Sequence, residues 1–477
     1  MNKVDEMFPP KRIQTYYVYS ILALALVLRL AVVAWADRGY LYTETGGDSW
    51  WYLEYGRALV RGQEPASPPS GPIYLIFVGY PQALDAPDRD VVFIRALRSF
   101  GYEPFIQVPE MPILIIQVVQ AILGTVTCYF AYRLASAISR DERAGLLVGG
   151  VLAISPVFVL ETTQVLTETL YLFLLSGGLW LYIRGVDRAS GLSPAAVLVC
   201  GVILGVATLT RAVLLAFPVG LALHLLVAYG WRRGARLALI LIVAYVITLA
   251  PWTIYNKVKW NQIVIGAQGF AAFLFIGATE WQGPQGTDQN LAQEASVNGE
   301  FPTDPGDQQG LYASAASKSI LGDPIGWLSR RANALASALL QPHGTLFFPG
   351  ESLKDALTHW MRDDRSLDGL LRVSRGDGFW PKLVIYVLHF GGWLLGFAGM
   401  WLTRKQWRIS LPLVGLVVYT LLVHFVLDAI PRYLFPLDLV MWVFAGASLV
   451  RFMRAIQAKP VEKRLQEHGT TGILSGR

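Results

Sequence analysis

Charge is what this sequence has little of. Asp, Glu, Lys and Arg make up 16% of its 477 residues, against about 25% in a soluble domain. The hydrophobic share is 54% and the mean hydropathy +0.43. A soluble core of this length would split into domains, yet no polar interdomain linker interrupts the chain. An ordinary cytosolic enzyme and a disordered protein are thereby excluded. Cysteine is scarcer still. Cys128 and Cys200 both lie within apolar runs, which excludes a secreted disulfide scaffold and predicts two buried thiols. Internal repeats of 20–50 residues and low-complexity tracts are also missing.

Long hydrophobic runs are what is there. A bilayer-crossing helix needs about 20 mostly apolar residues. Ten segments qualify as candidates: 16–36, 112–136, 144–160, 167–184, 194–210, 212–230, 236–251, 381–402, 409–428 and 433–450. The fifth and sixth form one apolar block, too long for a single crossing at about 1.5 Å per residue, so a break is expected near Thr210-Arg211. The sequence thus predicts an all-α, multi-pass membrane protein of about ten transmembrane helices, with two long exoplasmic loops, about 37–111 and 252–380, and no large soluble domain.

The remaining charge is sorted by side. With the N-terminus inside, the short presumed cytoplasmic pieces hold 20 of the 40 Lys and Arg residues, and the two long outer loops hold 23 of the 34 acids. Short basic loops orient a membrane protein, so both termini are expected in the cytoplasm. The net charge of +6 is then a topology signal and no nucleic-acid partner is expected. The first span resembles a signal peptide at Ala34-Trp35-Ala36, but its apolar region is too long and Arg29 interrupts it, which points to an uncleaved anchor. Arg29 should face the bundle, since a guanidinium facing lipid is costly; pairing with an internal acid and a substrate role are both open. Segment 262–279 is expected to stay outside as a strand or a re-entrant segment, because a crossing there would put the basic pieces that follow on the wrong side.

Each outer loop has a helical stretch. From Asp48, the residues Trp51, Tyr52, Tyr55 and Leu59 recur at helical spacing, which predicts an amphipathic helix lying along the membrane surface. Asp48 stands at its start, either as an N-cap carboxylate or as a functional acid. The second loop has Gly/Pro/Gln-rich turns, a helix-like stretch from Pro324 to Leu340, and acids between Asp307 and Asp364 that read as solvated charges. Charges at span ends carry more information. Glu161 and Glu168, seven residues apart, share a face if their segment is helical. Arg211 breaks the 194–230 block, and Asp428 and Arg432 flank Pro431. Taken singly, each is either an interface-pairing residue or part of a site. Taken together, Asp48, Glu168, Arg211 and Arg432 lie at one membrane face. Carboxylates can serve as bases or metal ligands and arginines grip phosphate, so the set suggests a reaction centre for an anionic, lipid-borne substrate.

Several short motifs carry a resemblance. Arg29 is followed by Gly47-Asp48 with Tyr52, Ala58 and Gly62, then by Ser155-Pro156 with Thr167-Glu168 and by Thr210-Arg211. The runs Ala250-Pro251-Trp252-Thr253-Ile254-Tyr255-Asn256 and Arg432-Tyr433-Leu434-Phe435-Pro436 complete the set. In this order, from about 16 to 450, the chain resembles the GT-C glycosyltransferases, in particular the bacterial group related to lipid A aminoarabinose transferases and protein O-mannosyltransferases. One departure is that relatives often carry Arg-Asn where this chain has Tyr255-Asn256.

The resemblance implies a GT-C-like transmembrane catalytic domain over 1–450 and a basic cytoplasmic tail over 451–477, in a bacterial cytoplasmic membrane. It implies inverting transfer of a sugar from a polyprenyl-phosphate carrier to an envelope lipid, glycan or protein acceptor on the exoplasmic side. Asp48 would be the general base, and Glu168 would shape the acceptor site or bind a metal. Tyr52, Arg211, Arg432, Tyr433 and Asn256 would bind substrate, and the leaving lipid phosphate would be stabilised by Arg211, Arg432 or a divalent ion. The implied partners are membrane lipids, the lipid-linked donor and the acceptor; the one cofactor implied is a divalent cation, used by some members. Two other classes compete: a lipid-linked sugar flippase or transporter, which tends to show internal repeats, and an envelope polysaccharide polymerase.

Overall fold

Apolar runs and the breaks between them set the architecture. The computed structural model describes residues 11–38, 47–63, 70–83, 111–187, 191–267, 269–279, 302 and 304–471, and among them all regular structure is helical. The first outer segment contributes α2 (Asp48–Val60) and α3 (Pro72–Ala83), after α1 (Lys11–Trp35). The bundle continues with α4 (Met111–Ser139), α5 (Glu142–Ile154), α6 (Pro156–Leu160), α7 (Glu168–Asp187), α8 (Pro194–Thr210) and α9 (Phe217–Trp260). The second outer segment holds α10 (Phe270–Thr279), α11 (Pro305–Gly322), α12 (Pro324–Leu340), α13 (Leu353–Asp363) and α14 (Leu367–Ser374). Last come α15 (Phe379–Thr403), α16 (Trp407–Val426) and α17 (Pro431–Thr471).

Six helical stretches among the described residues are long and apolar enough to cross a membrane, or seven if the bent pair α5–α6 counts as one. Two of the six, Ala212–Trp260 and Phe379–Val426, are 49 and 48 residues long, more than twice the reach needed for a bilayer core of about 30 Å. Each turns within its length. Gly230 breaks the first at φ +73°, a conformation favourable only for glycine, and the 3₁₀ turn Arg404–Gln406 breaks the second. All ten expected spans fall largely on helix.

Two local expectations need correction. The span expected over 144–160 bends by 59°, because Ser155 is extended ahead of Pro156, as a residue before proline prefers. Helix α9 runs on to Trp260. Residues 270–279 are helix α10, packed through Ala271, Phe275 and Ala278 against α11, not a strand. In α2 the buried face is Ser49, Leu53 and Gly56. The Trp51 and Tyr55 rings of the expected stripe lie off that face and stack on each other, 4.1 Å apart. A side chain at Gly56 would strike Val78, so its absence lets α3 close on α2.

Inside the bundle, small residues set the closest approaches, since lipid supplies no hydrophobic drive between helices. Gly392, Gly396 and Gly399 of α15 lie against Trp442, Met441 and Phe444 of α17, and a Cβ at Gly399 would collide with the Phe444 carbonyl. Both cysteines are buried and unpaired, as their apolar runs predict. Arg29 is 1% exposed and faces the bundle as expected. Its partners, however, are the carbonyls of Ala25, Leu152 and Ala153 and the Cys128 sulfur, rather than a carboxylate.

Candidate active site

Three breaks in the bundle and the start of α2 meet at one place. The first break precedes Glu168, where the chain leaves a 3₁₀ turn at Glu161–Thr163 and becomes extended at Gln164. Its freed carbonyls need partners away from water, and α4 supplies them. Gln117 Nε2 donates to the Thr163 carbonyl at 2.7 Å. Gln120 Nε2 donates to the carbonyls of Thr162 and Gln164 at 3.0 and 2.7 Å, while the Tyr74 hydroxyl donates to Gln120 Oε1 at 3.1 Å. Glu168 then opens α7, where the helix N-terminus favours a carboxylate.

The second break carries Arg211, whose backbone is extended after the end of α8. Two tyrosines clamp the turn that follows. The Tyr245 hydroxyl donates to the Leu215 carbonyl at 2.9 Å and lies 3.0 Å from Thr208 Oγ1. The Tyr419 hydroxyl donates to the Val213 carbonyl at 2.6 Å and accepts from Ala216 N. Gly266 closes over the same end of α8 at φ +81°. A Cβ there would lie 2.9 Å from the Thr208 carbonyl oxygen, so only glycine fits. At the third break, Pro431 starts α17 and sets Arg432 in its first turn. Arg331 of α12 ties down the preceding end of α16 through the carbonyls of His424 and Phe425, at 3.0 and 2.8 Å.

These breaks deliver four charges to one cluster. Arg211 Nη1 donates to Glu168 Oε1. Arg432 Nε lies 3.1 Å from the same oxygen, out of line for a hydrogen bond, and its Nη2 donates to Asp48 Oδ2 at 2.5 Å. Side-chain exposure is 0% at Glu168, 11% and 23% at Arg211 and Arg432 on either side of it, and 57% at Asp48 beyond Arg432. The cluster therefore runs from a buried acid to an open one. Tyr433 lies 5.4 and 5.6 Å from the two guanidinium carbons and Tyr171 lies 5.8 Å from that of Arg211, cation–π contacts that help hold the arginines.

Tyr52, one turn beyond Asp48, borders the cluster and meets Tyr74 edge-on at 4.9 Å. Enclosure by the surrounding protein, with the nearby Glu168 charge, raises its hydroxyl well above the ordinary phenol range. Tyr52 therefore stays a hydrogen-bond donor at neutral pH.

Six of the seven residues singled out in the sequence thus gather, and Asn256 does not. Asn256 is buried on α9, and its Nδ2 donates to the Val264 carbonyl at 3.3 Å, on the chain that turns back after α9. Two pairing expectations also change. Asp48 is not an N-cap: Gly47 holds that position, no side chain caps the helix, and the carboxylate is taken by Arg432. Nor do Glu161 and Glu168 share a helical face, because the helix stops between them. Glu161 pairs with His343 at 2.8 Å, a residue the sequence reading passed over. His343 sits in a Gln-Pro-His-Gly turn without a periodic signal. Gln117 and Gln120 were also missed, though two glutamines three apart in an apolar span are a legible sign of a polar load.

The donor set does not suit a divalent cation. Glu168 Oε1 faces two guanidiniums and Asp48 Oδ2 one, so positive charge already occupies the place a cation would take. No group of three or more His, Cys, Asp or Glu is arranged for a metal among the described residues. Two arginines beside a partly open carboxylate suit a phosphate next to a hydroxyl that must lose a proton.

Comparison with known proteins agrees at the level of fold. Residues 105–255 match the family model for dolichyl-phosphate-mannose-protein mannosyltransferase, a stretch that includes Glu168 and Arg211 but neither Asp48 nor Arg432. No curated protein matches the chain. Among solved structures, the archaeal oligosaccharyltransferase AglB from Archaeoglobus fulgidus, in complex with an inhibitory peptide and a dolichol-phosphate, is similar. Its TM-score is 0.50 at 13% identity, covering 97% of this chain and 52% of that one. The apo form of the Archaeoglobus fulgidus oligosaccharyltransferase gives 0.46 at 15% identity, with 94% and 52% covered. The chain spans about half the length of these structures. The chain is a multi-pass membrane protein of GT-C glycosyltransferase fold.

Proposed function

We propose that the protein is an integral membrane, inverting glycosyltransferase that moves a sugar from a polyprenyl-phosphate carrier to an acceptor hydroxyl on an envelope lipid, glycan or protein. The observation that carries the reading is the convergence of Asp48, Glu168, Arg211 and Arg432 from four separate parts of the chain. The basic short loops support placing the reaction on the exoplasmic face of a bacterial cytoplasmic membrane, with about ten crossings and both termini inside.

Asp48 takes the proton of the acceptor hydroxyl as its oxygen attacks the anomeric carbon. The bond from that carbon to the phosphate oxygen breaks on the opposite side, and the electron pair leaves with the lipid phosphate, which becomes a dianion. Arg211 and Arg432 meet that new charge. Glu168, buried between them, fixes both guanidiniums before substrate arrives. Tyr52 and Tyr433 line the approach, and no step is assigned to Asn256.

Reconstitution with a polyprenyl-phosphate sugar donor tests the reading, with the envelope glycans and lipids of a deletion strain indicating which acceptor to supply. Asp48→Asn should fold and lower transfer by about 10²-fold or more, the range for a general base. Full activity in that variant would remove Asp48 as the base. Movement of intact lipid-linked sugar across the bilayer without transfer would replace the enzyme with a flippase.

A further inference from the structure

Beneath the charge cluster lies a second polar site. A cavity between α1, α4, α5, the 161–163 turn, α7 and α17 is lined by Arg29, Gly124, Cys128, Glu161, Thr169 and Phe435, among others, with about 10 Å³ of room for the centre of a water molecule. Three lining side chains are almost wholly buried: Arg29 at 1%, Glu161 at 2% and Thr169 at 4% exposure. Each has one polar atom without a partner, namely Arg29 Nε, Glu161 Oε1 and Thr169 Oγ1. One donor, one acceptor and one hydroxyl that can do either thus belong to residues that border the same small space. Gly124 makes room for them, since a Cβ there would lie 2.8 Å from Arg29 Nε.

We infer that this cavity binds one water molecule, which accepts from Arg29 Nε–H, donates to Glu161 Oε1 and bonds Thr169 Oγ1. A space of this size is at the lower bound for one structural water, and three bordering residues each have a polar atom for it to satisfy. The water joins a cation on α1 to a carboxylate that has no direct ion pair with it. It acts through Glu161, whose other oxygen holds His343 at 2.8 Å. The His343 ring packs on Phe435 at 4.9 Å, one turn past Arg432 on α17, and on Phe347 at 5.6 Å. Arg29, Thr169 and Glu161 are accordingly positioning residues: through the water they anchor the 341–348 segment of the second outer loop onto the helix that carries Arg432 and Tyr433. The relay stands independently of the transferase reading.

The test uses the full-length protein in lipid nanodiscs and amide hydrogen exchange in the peptide containing His343. Thr169→Val keeps the shape and deletes the hydroxyl, whereas Thr169→Ser keeps the hydroxyl and deletes a methyl. A water relay predicts about fivefold faster exchange in T169V and wild-type exchange in T169S, the scale of one net hydrogen bond. The reverse pattern, T169V unchanged and T169S faster, assigns Thr169 to packing and overturns the relay, as does equal behaviour of the two. Should T169V fail to fold, a high-resolution structure of the unaltered protein decides. Density for a water within hydrogen-bond reach of all three atoms supports the relay, and a dry cavity or a direct Arg29–Glu161 pair ends it. Transfer is measured separately, so an inactive wild-type protein with intact exchange behaviour would count against the enzyme reading alone.

Discussion

Removing the Asp48 charge should move stability, donor binding and transfer by different amounts and in different directions. In the resting cluster Arg432 is shared by Asp48 at 2.5 Å and by Glu168 at 3.1 Å. Asp48 is more than half exposed, so its ion pair is worth about 0.2–1 kcal/mol once water and side-chain entropy are counted. Asp48→Asn should therefore lower unfolding free energy by no more than about 1 kcal/mol. The same pair competes with an incoming lipid phosphate for Arg432. Freeing the arginine should tighten donor binding by up to about fivefold, that same 1 kcal/mol expressed as affinity. Transfer should nevertheless fall by about 10²-fold or more, because the base is gone. Glu168→Gln is the contrast. Its carboxylate is wholly buried between guanidiniums that are 11% and 23% exposed, and leaving Arg211 uncompensated, with Arg432 held by Asp48 alone, should cost about 3–5 kcal/mol. Denaturation in mixed micelles gives the stabilities, and titration with a non-transferable phosphate-linked donor analogue gives the affinities. Weaker donor binding in D48N, or equal stability losses in D48N and E168Q, would refute this account of the cluster.

Other perturbations test how the site is held. Tyr245→Phe removes the hydroxyl that clamps the turn after Arg211 and should lower transfer about fivefold, on the scale of one hydrogen bond, as read by initial rates with saturating acceptor. Lys382, buried in the first turn of α15, donates to the carbonyls of Pro349, Gly350 and Glu351 at 2.7, 2.8 and 2.9 Å. Lys382→Met should cost about 2 kcal/mol or more, since bonds to a charged donor are the stronger kind, and should show as faster proteolysis near 349–351. Gly399→Ala forces a methyl into the Phe444 backbone and should cost about 1–3 kcal/mol by overpacking, seen as a lower midpoint of thermal unfolding in detergent with little change in donor affinity.

Sequence reasoning reached the bundle because a membrane span announces itself over about 20 consecutive residues. The break at Thr210-Arg211 was legible for the same reason, as was the Pro324–Leu340 helix, which begins as expected at a proline. Charges at span ends were legible too, since a charge beside hydrocarbon is costly and stands out. Pairing was not. Asp48 and Arg432 are 384 residues apart, and nothing local distinguishes a capping aspartate from one reached by a distant guanidinium. Glu161 and Glu168 misled for a related reason: a spacing of seven means one face only if the helix is continuous, and the chain bends at Ser155-Pro156 and again becomes extended at Gln164. In α2 the aromatic spacing was correct as a period, but the face that packs on α3 was not legible, because that close contact is made at Gly56, which a hydrophobicity count does not weigh.

The geometry also separates the two acids, which residue type alone cannot do. Both carboxylates touch Arg432, yet Glu168 is buried and also held by Arg211, while Asp48 is open and held once. A base must reach an acceptor that comes from outside and must be able to shed its partner when that acceptor arrives. Glu168 can do neither without stranding two guanidiniums. Asp48 can do both, provided that something else neutralises Arg432. In the proposed reaction the donor phosphate is that group, because it brings negative charge to the arginine as Asp48 lets go. Under the proposed function donor binding should then precede activation of the base, since an acceptor arriving first would meet an aspartate still tied to its arginine. Two carboxylates balance two guanidiniums, which is how four ionisable side chains are held at the end of an apolar bundle.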